Sequence, residues 1–250
     1  MTENCDRRAL AGIQCVDAIT TGSILDPLLM SSSQLTLRPN RSGVYVVWDG
    51  PGLHASATMF PATPWPASAP FEIAIQDPSF RYLPRRSKIQ VPQPLAAPVT
   101  PPQTANYGPQ QVTLYPGPAA PVAPNWGVVR ASVTSNASPP VPLPWAVLQV
   151  LKGTTVMATG LSDPNGEALL AIAGLSLQVS SSAGGPVTEV TVAATVNVWF
   201  DPTNLTQPSG WTPNPDDILQ ALTSLAWKTT SASIQIGPGL AVYVPLTVSL

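Results

Sequence analysis

Short segments of alternating hydrophobic and polar residues recur along the whole chain. Phe71, Ile73 and Ile75 are separated by single polar or small residues, the period of a strand with one face in water. Residues 190–199 repeat this pattern, with valine and alanine on one face. Residues 44–48 are β-branched or aromatic throughout, which favours a strand buried on both faces. Further strands are predicted at residues 35–37, 88–91, 111–115, 126–133, 145–151, 156–159, 168–173 and 242–248.

Turn-forming residues separate these segments. Asn40 and Gly43 can both adopt a positive φ between two predicted strands. Gly153 is placed to turn a hairpin, and residues 162–166 (Ser-Asp-Pro-Asn-Gly) form a strong turn signal. Short strands between tight turns predict an all-β protein.

One segment has helical spacing instead. Asn214 can cap a helix with Pro215 at its first position, and two aspartates follow where the helix dipole favours acids. Ile218, Leu222 and Leu225 then lie on one face. The sequence predicts a short helix near residues 215–227, which either plugs an open edge of the β-structure or docks a partner.

Proline concentrates in the middle of the sequence. Of the 31 prolines, fourteen lie between Pro92 and Pro144. Because proline has no amide donor and a fixed φ, such a stretch is excluded from helices and central strands. Residues 92–124 are therefore predicted to form an extended, semi-rigid linker with one strand-like island at 111–115. This linker separates two predicted β-sandwich domains, residues 1–91 and residues 125–250.

Charge is scarce and unevenly placed. Charged residues make up 10% of the chain and the net charge is −2, so no basic footprint for nucleic acid is present. Four cations, Arg81, Arg85, Arg86 and Lys88, form a local group. This group either meets an acidic partner or is a solvated strand edge that resists unwanted pairing.

The first residues and the hydropathy of the chain bear on its location. The N-terminus lacks the apolar region of a signal peptide, and no apolar stretch is long enough to span a membrane. We therefore expect cytoplasmic synthesis. In that compartment Cys5 and Cys15 are expected to be free thiols.

The residues that most chemistries need are missing from the sequence. The chain has a single histidine, His54, in a predicted loop, so a nucleophile lacks its usual base. One histidine and two separated cysteines do not make a zinc site, and no nucleotide-binding motif is present. The sequence predicts no catalytic residue, metal or cofactor. Paired carboxylates distant in the chain remain a third hypothesis, a hydrolase.

Six of the seven tryptophans fall into two groups. Trp48, Trp126, Trp145 and Trp199 lie in or beside predicted strands and are expected in the core. Two others, Trp65 and Trp211, lie among proline, glycine and serine in predicted loops. Loop tryptophans either form binding hot spots, for protein or sugar, or fold over the end of their own domain.

Two segments carry a resemblance to a known fold family. Residues 16–24 (VDAITTGSI) and 158–168 (ATGLSDPNGEA) resemble carboxypeptidase-regulatory-like, or transthyretin-like, sandwiches. In the second, Ser162 replaces the threonine of that family's T-D-x-x-G hairpin. The resemblance implies small, seven-stranded, non-catalytic domains of transthyretin or Ig-like type.

A second resemblance concerns function. Residues 40–46 (NRSGVYV), 49–53 (DGPGL), 81–84 (RYLP) and 144–148 (PWAVL) resemble accessory structural proteins of phage-tail-like contractile injection systems. This implies a non-catalytic adaptor that binds sheath, tube, cap or baseplate subunits in a symmetric particle, which can be released after assembly. The predicted interface residues are Trp65, Arg81, Arg85, Arg86 and Trp211. The alternative is an adhesion or carbohydrate-binding module that uses Trp65 and Trp211.

Overall fold

A computed structural model describes residues 9–53, 67–93, 108–175, 191–208, 210–222 and 227–250. These residues are mostly β, as the sequence predicts, and they form fourteen strands, one 3-10 helix (Pro202–Thr206) and one α-helix, α1 (Pro215–Gln220). The strands are β1 (Ala11–Asp17), β2 (Leu29–Ser31), β3 (Thr36–Pro39), β4 (Val44–Asp49), β5 (Ala69–Gln76), β6 (Arg85–Val91), β7 (Gln110–Leu114), β8 (Gly127–Ser135), β9 (Val147–Lys152), β10 (Thr155–Leu161), β11 (Glu167–Ile172), β12 (Val192–Phe200), β13 (Lys228–Ile236) and β14 (Ala241–Val248). Within the described residues, no helix is long and apolar enough to cross a membrane.

The first of two compact units draws on residues 1–17, 21–78 and 84–114. One sheet has the order β3-β4-β1-β7 and the other the order β2-β5-β6. Both sheets contribute side chains to the buried interior, such as Ile13 and Val47 from the first and Ile73 and Ile89 from the second. Burial of these apolar side chains is the main stabilising term of the unit.

The second unit draws on residues 18–20, 79–83 and 115–250. Its sheets have the orders β10-β9-β12-β13 and β11-β8-β14. A single hydrophobic cluster takes residues from both sheets, among them Val129, Leu170, Val196 and Ile236. A smaller cluster, which includes Val147 and Trp199, also receives apolar side chains of α1.

The two units repeat one strand connectivity, offset by seven strands. In each, the first strand pairs antiparallel with the fourth and parallel with the seventh, as β1 does with β4 and β7, and β8 with β11 and β14. In each, the fifth strand also pairs with the second and the sixth. Only the third strand differs, because β3 pairs with β4 whereas β10 pairs with β9.

The turn before the fourth strand is also repeated. The Asn40 Oδ1 atom accepts hydrogen bonds from the amides of Ser42 and Val44, each 2.9 Å long. The Asp163 Oδ1 atom accepts from the amides two and four residues onward, at 2.8 and 2.9 Å. In both turns the fourth residue is a glycine with positive φ, 74° at Gly43 and 76° at Gly166. The side-chain oxygen and the glycine together fix the turn.

Several predicted strands are present with their predicted faces. Phe71, Ile73 and Ile75 are buried on β5 while the intervening residues are exposed, and β6 pairs back on β5. The prediction that residues 44–48 are buried on both faces is wrong. Tyr45 and Val47 are buried, but their neighbours are half-buried, because only one face of β4 points to the interior. Sequence patterns did not predict β1, β2 or β13.

The proline-rich span 92–124 is not a linker in its described parts. Gln93 donates its backbone amide to the Leu10 carbonyl oxygen at 2.8 Å and accepts from the Gly12 amide through its side chain. The strand-like island is β7, which pairs with β1 and belongs to the first unit. Tyr115 and Ala120 are buried in the second unit. Residues 94–107 lie outside the described residues.

The predicted helix is shorter than residues 215–227. Asn214 caps it as expected, accepting from the Asp216 amide at 3.3 Å, but α1 ends at Gln220. The Ala221 amide already bonds to the carbonyl three residues back, which tightens the last turn. Ile218 and Leu222 pack on the smaller cluster, so the helix covers the sheet as a plug would. Residues 223–226 lie outside the described residues.

Only one of the four tryptophans expected in the core is buried. Trp145 is 6% exposed and has a φ of +61°, whereas Trp48, Trp126 and Trp199 are half-buried. Trp199 alternates with the buried Val198 and Phe200, so it lies on the outer face of its sheet against the smaller cluster. Strand position alone therefore did not decide which tryptophans are in the interior.

Candidate interaction surfaces

The arginines of the predicted interface group have three different environments. Arg85 is 1% exposed, so it is not part of the surface as the sequence suggested. Its Nε atom donates to the Arg86 carbonyl oxygen at 3.1 Å, and its Nη1 atom donates to the Thr113 carbonyl oxygen at 2.5 Å. These bonds satisfy the buried guanidinium and join β6 to β7, which explains how a charge is tolerated there.

Arg86 lies on the opposite face of β6 and forms an ion pair. Its Nη1 atom is 3.0 Å from the Glu72 carboxylate on β5, and the two side chains are 41% and 57% exposed. A pair this exposed contributes little to stability. Arg86 is therefore a solvated residue of the edge strand β6 that is paired with Glu72 of its own sheet.

Arg81 belongs to a surface loop in the second unit, which we call the Phe80 loop (Ser79–Leu83). Its backbone is fixed by pairing with residues 115–117: the Leu83 amide donates to the Tyr115 carbonyl oxygen at 2.9 Å, and the Gly117 amide donates to the Arg81 carbonyl oxygen at 2.8 Å. Tyr82 is buried and bridges to Pro116. The loop is therefore held by main-chain hydrogen bonds and one buried aromatic anchor.

Phe80 projects from this fixed loop into solvent. Its side chain is 76% exposed, the largest exposed fraction among the large hydrophobic residues described. Its φ is +55°, a conformation that costs a bulky residue free energy and persists only where the surroundings impose it. Beside it, Arg81 is exposed and its guanidinium lies 5.8 Å from the centre of the Tyr82 ring.

Of the two loop tryptophans of the prediction, Trp211 lies within the described residues. Trp211 is half-buried just before α1, and its amide donates to the Pro208 carbonyl oxygen at 3.0 Å. Trp65 lies outside the described residues, as does His54. The predicted interface residues do not include Phe80. The available signal was an aromatic residue two positions after the Asp77-Pro78 turn, where the alternation of β5 has already ended.

The described residues offer no grouped ligands for a metal ion, since no three of their histidine, cysteine, aspartate and glutamate side chains cluster. Cys15 on β1 carries a free thiol and is 1% exposed. Burial raises its pKa from 9.0 to about 12, and the nearby Arg85 guanidinium opposes this shift only in part. The thiol is therefore protonated and shielded at neutral pH.

Cys15 is expected to make the folded chain less stable as the pH rises above about 9. The folded state keeps the thiol proton up to about pH 12, while the unfolded state releases it near pH 9. The protonated thiol therefore contributes its full stabilisation below about pH 9. Above it, stability falls by about 1.4 kcal/mol per pH unit. Urea unfolding at a series of pH values from about 8 to about 10 measures this slope.

The Cys15→Ala variant is expected to lose most of that slope. Tyr45→Phe is the control, because the pKa of Tyr45 is also raised by burial but from a starting value of 10.0, so its effect begins at higher pH. Equal slopes in the wild type and in Cys15→Ala would contradict a buried, protonated thiol.

Comparisons with known proteins do not assign the chain to a family. No protein-family model matches the chain, and no curated protein matches it. Among solved structures, one titled "The Bacillus anthracis TIE protein" aligns with a TM-score of 0.29 and 8% sequence identity. The alignment covers 96% of this chain and 34% of that one, so the chain spans about a third of that protein's length. A likeness at this level carries no argument about function.

Proposed function

We propose that this protein is a non-catalytic structural or adaptor subunit of two β-sandwich domains. Its partners would be other protein subunits of a large symmetric assembly. The observation that carries the proposal is Phe80, an exposed aromatic side chain held in an unfavourable backbone conformation on a fixed loop.

A rigid exposed aromatic side chain suits protein binding. Aromatic residues and arginine are enriched at the centres of protein interfaces, and Phe80 and Arg81 are adjacent on the same loop. Because the backbone of the loop is already fixed, binding would cost little conformational entropy. The strain at Phe80 is therefore accounted for if the side chain must be presented in one orientation to a partner.

A sheet edge in the second unit argues for contacts through side chains rather than through added strands. The Val128 amide donates to the Leu240 carbonyl oxygen, and the Asn136 amide donates to the Val248 carbonyl oxygen. The even-numbered residues of β14 therefore point their backbone amide and carbonyl groups toward β8. Pro245 is odd-numbered, so its backbone nitrogen lies on the outer edge of β14. Because proline has no amide hydrogen, the middle of that edge lacks one hydrogen-bond donor. Such a proline blocks pairing with another chain.

The assembly that the sequence resemblance favours is a phage-tail-like contractile injection particle. In such a particle the protein would bind neighbouring sheath, tube, cap or baseplate subunits. The scarcity of charge fits a surface that is largely covered by partners, since charged residues are depleted in interface cores. The duplicated strand connectivity would give one chain two similar units with different surface loops.

The proposal is tested by affinity purification of the tagged protein from its native host, followed by negative-stain microscopy and identification of the recovered proteins. We expect co-purified structural subunits and rod-shaped particles. Phe80→Ala is expected to reduce their recovery at least tenfold without lowering the melting temperature, since the removed side chain is in solvent.

Leu205→Ala is the matched control, because Leu205 is a large exposed hydrophobic residue of the same unit, 42% exposed. It should recover the same partners as the wild type. A monomer that recovers no structural subunit, or equal losses in both variants, would contradict the proposal.

A further inference from the structure

A β-bulge interrupts the pairing of β3 with β4 at Trp48. Thr36 pairs with Asp49 and the next residue, Leu37, pairs with Val47, so Trp48 has no partner on β3. An extra residue on one strand changes the direction of its side chains and brings neighbours that would alternate onto the same side. The bulge thereby allows Trp48 and Asp49, adjacent in sequence, to line the same space.

That space is a cleft of about 220 Å³ in the first unit, lined by Thr36, Arg38, Trp48 and Asp49. We call it the Trp48 cleft. β3 is the edge strand of its sheet, so the cleft opens at the border of the sheet. Thr36 and Arg38 are two residues apart on β3 and therefore share one face, which matches their common position in the lining.

The polar groups of the Trp48 cleft have capacity left for a ligand. Within the described residues, the side chains of Thr36 and Arg38 form no hydrogen bond or ion pair. The Trp48 ring likewise makes no contact with another ring there. Asp49 uses one carboxylate oxygen, Oδ1, to accept from the Gly50 amide at 2.8 Å. This bond holds the carboxylate in place and leaves Oδ2 to accept from elsewhere.

We propose that the Trp48 cleft binds a single residue of a neutral glycan. An indole face offers apolar area to the C–H face of a sugar ring, and its rigid ring loses little entropy on binding. The planar guanidinium of Arg38 can donate to two neighbouring hydroxyl groups, and the carboxylate of Asp49 and the hydroxyl of Thr36 can accept from others. The cleft therefore supplies both donors and acceptors beside one aromatic surface.

The charges of the lining favour a neutral ligand. Among the described lining residues, one guanidinium and one carboxylate sum to zero, so an anion meets Asp49 and a cation meets Arg38 at short range. A hydroxylated ring carries donors and acceptors without net charge and satisfies both groups. Pockets for drug-sized ligands measure roughly 300–1,000 Å³, so this smaller space fits one sugar ring of a longer chain that continues into solvent.

The site differs from the one that the sequence suggested for sugar. The sequence suggests the loop residues Trp65 and Trp211 for sugar binding and predicts Trp48 in the core. The inference also stands apart from the proposed assembly function, because it concerns side chains of the first unit and not the Phe80 loop. Either proposal can fail without the other.

The test is binding of the full chain to an array of neutral and acidic oligosaccharides, with titration calorimetry on each saccharide that binds. We expect neutral saccharides to bind the wild type. Trp48→Ala and Arg38→Gln are each expected to weaken that binding at least tenfold, because each removes a direct contact to the sugar ring.

Two variants serve as controls. Arg41→Gln removes the same charge from an exposed position of the same hairpin, outside the cleft lining, and Trp211→Ala removes a half-buried tryptophan of the second unit. Both should bind like the wild type. Because Arg38 is exposed, Arg38→Gln should fold normally and keeps the test decisive even if Trp48→Ala is unstable.

The proposal is overturned if no saccharide binds, if only acidic saccharides bind, or if Arg38→Gln and Arg41→Gln weaken binding equally. Loss of binding in Trp211→Ala with full binding in Trp48→Ala would instead assign the sugar site to the second unit.

Discussion

Gly166→Ala is expected to destabilise the second unit by about 3 kcal/mol or more. A Cβ atom at this position would lie 2.4 Å from the Val133 carbonyl oxygen and 3.1 Å from the Leu143 amide nitrogen. Both are backbone atoms, and the Val133 amide donates a hydrogen bond to the Gly166 carbonyl oxygen at 2.7 Å. Neither the Val133 backbone nor the Gly166 backbone can move apart without breaking this hydrogen bond. The φ of 76° adds the strain of a left-handed conformation to the overlap.

Gly153→Ala is the matched control for this prediction. Gly153 has a φ of 60° in the β9–β10 hairpin, but a Cβ atom there would meet nothing within 4 Å. It should therefore cost only the conformational strain, about 1–2 kcal/mol. Urea unfolding of the wild type and the two variants measures the difference. Equal losses at both positions would show that overlap with Val133 does not occur.

Val196→Asp is expected to unfold the second unit. Val196 is 0% exposed in the middle of β12, within the cluster that both sheets of the unit share. A carboxyl group there would lose its hydration without a partner among the surrounding apolar side chains, which costs several kcal/mol and is comparable to the whole stability of a domain. Circular dichroism and thermal unfolding should show loss of the cooperative transition that belongs to this unit.

Ala193→Asp tests whether the loss of stability comes from burying the carboxylate or from placing an aspartate anywhere in β12. Ala193 lies on the same strand but is exposed, so its carboxylate would remain hydrated. We expect a melting temperature close to that of the wild type. An unchanged melting curve for Val196→Asp would refute the burial of that face of β12.

The duplicated turn shows why two regions of unlike sequence fold alike. Only two features are common to residues 40–43 (NRSG) and residues 163–166 (DPNG). The first residue is Asn or Asp, whose side chain carries an Oδ1 atom, and the fourth is glycine. Those two positions form the hydrogen bonds and the positive φ that the turn needs, and the two residues between them are free to vary. The segments that resemble transthyretin-like sandwiches are not equivalent, because residues 16–24 begin at the end of the first strand and residues 158–168 run from the end of the third strand into the fourth.

The sequence by itself determined the features that depend on neighbours along the chain. The alternation at residues 71–75 gave the strand and its buried face, Asn214 and Pro215 gave the start of the helix, and the glycines marked the tight turns. Each of these follows from the geometry of a few consecutive residues.

Only the tertiary structure decided which strands are partners and which surfaces are covered. The burial of Arg85 depends on a carbonyl oxygen 28 residues away on β7, and the bulge at Trp48 depends on the register of β4 against β3. The packing of Ile218 on its cluster depends on Val147 and Trp199, which are distant from it in the chain. Long-range contacts of this kind bring together groups that no local period relates, so neither the Phe80 loop nor the Trp48 cleft could be predicted from spacing.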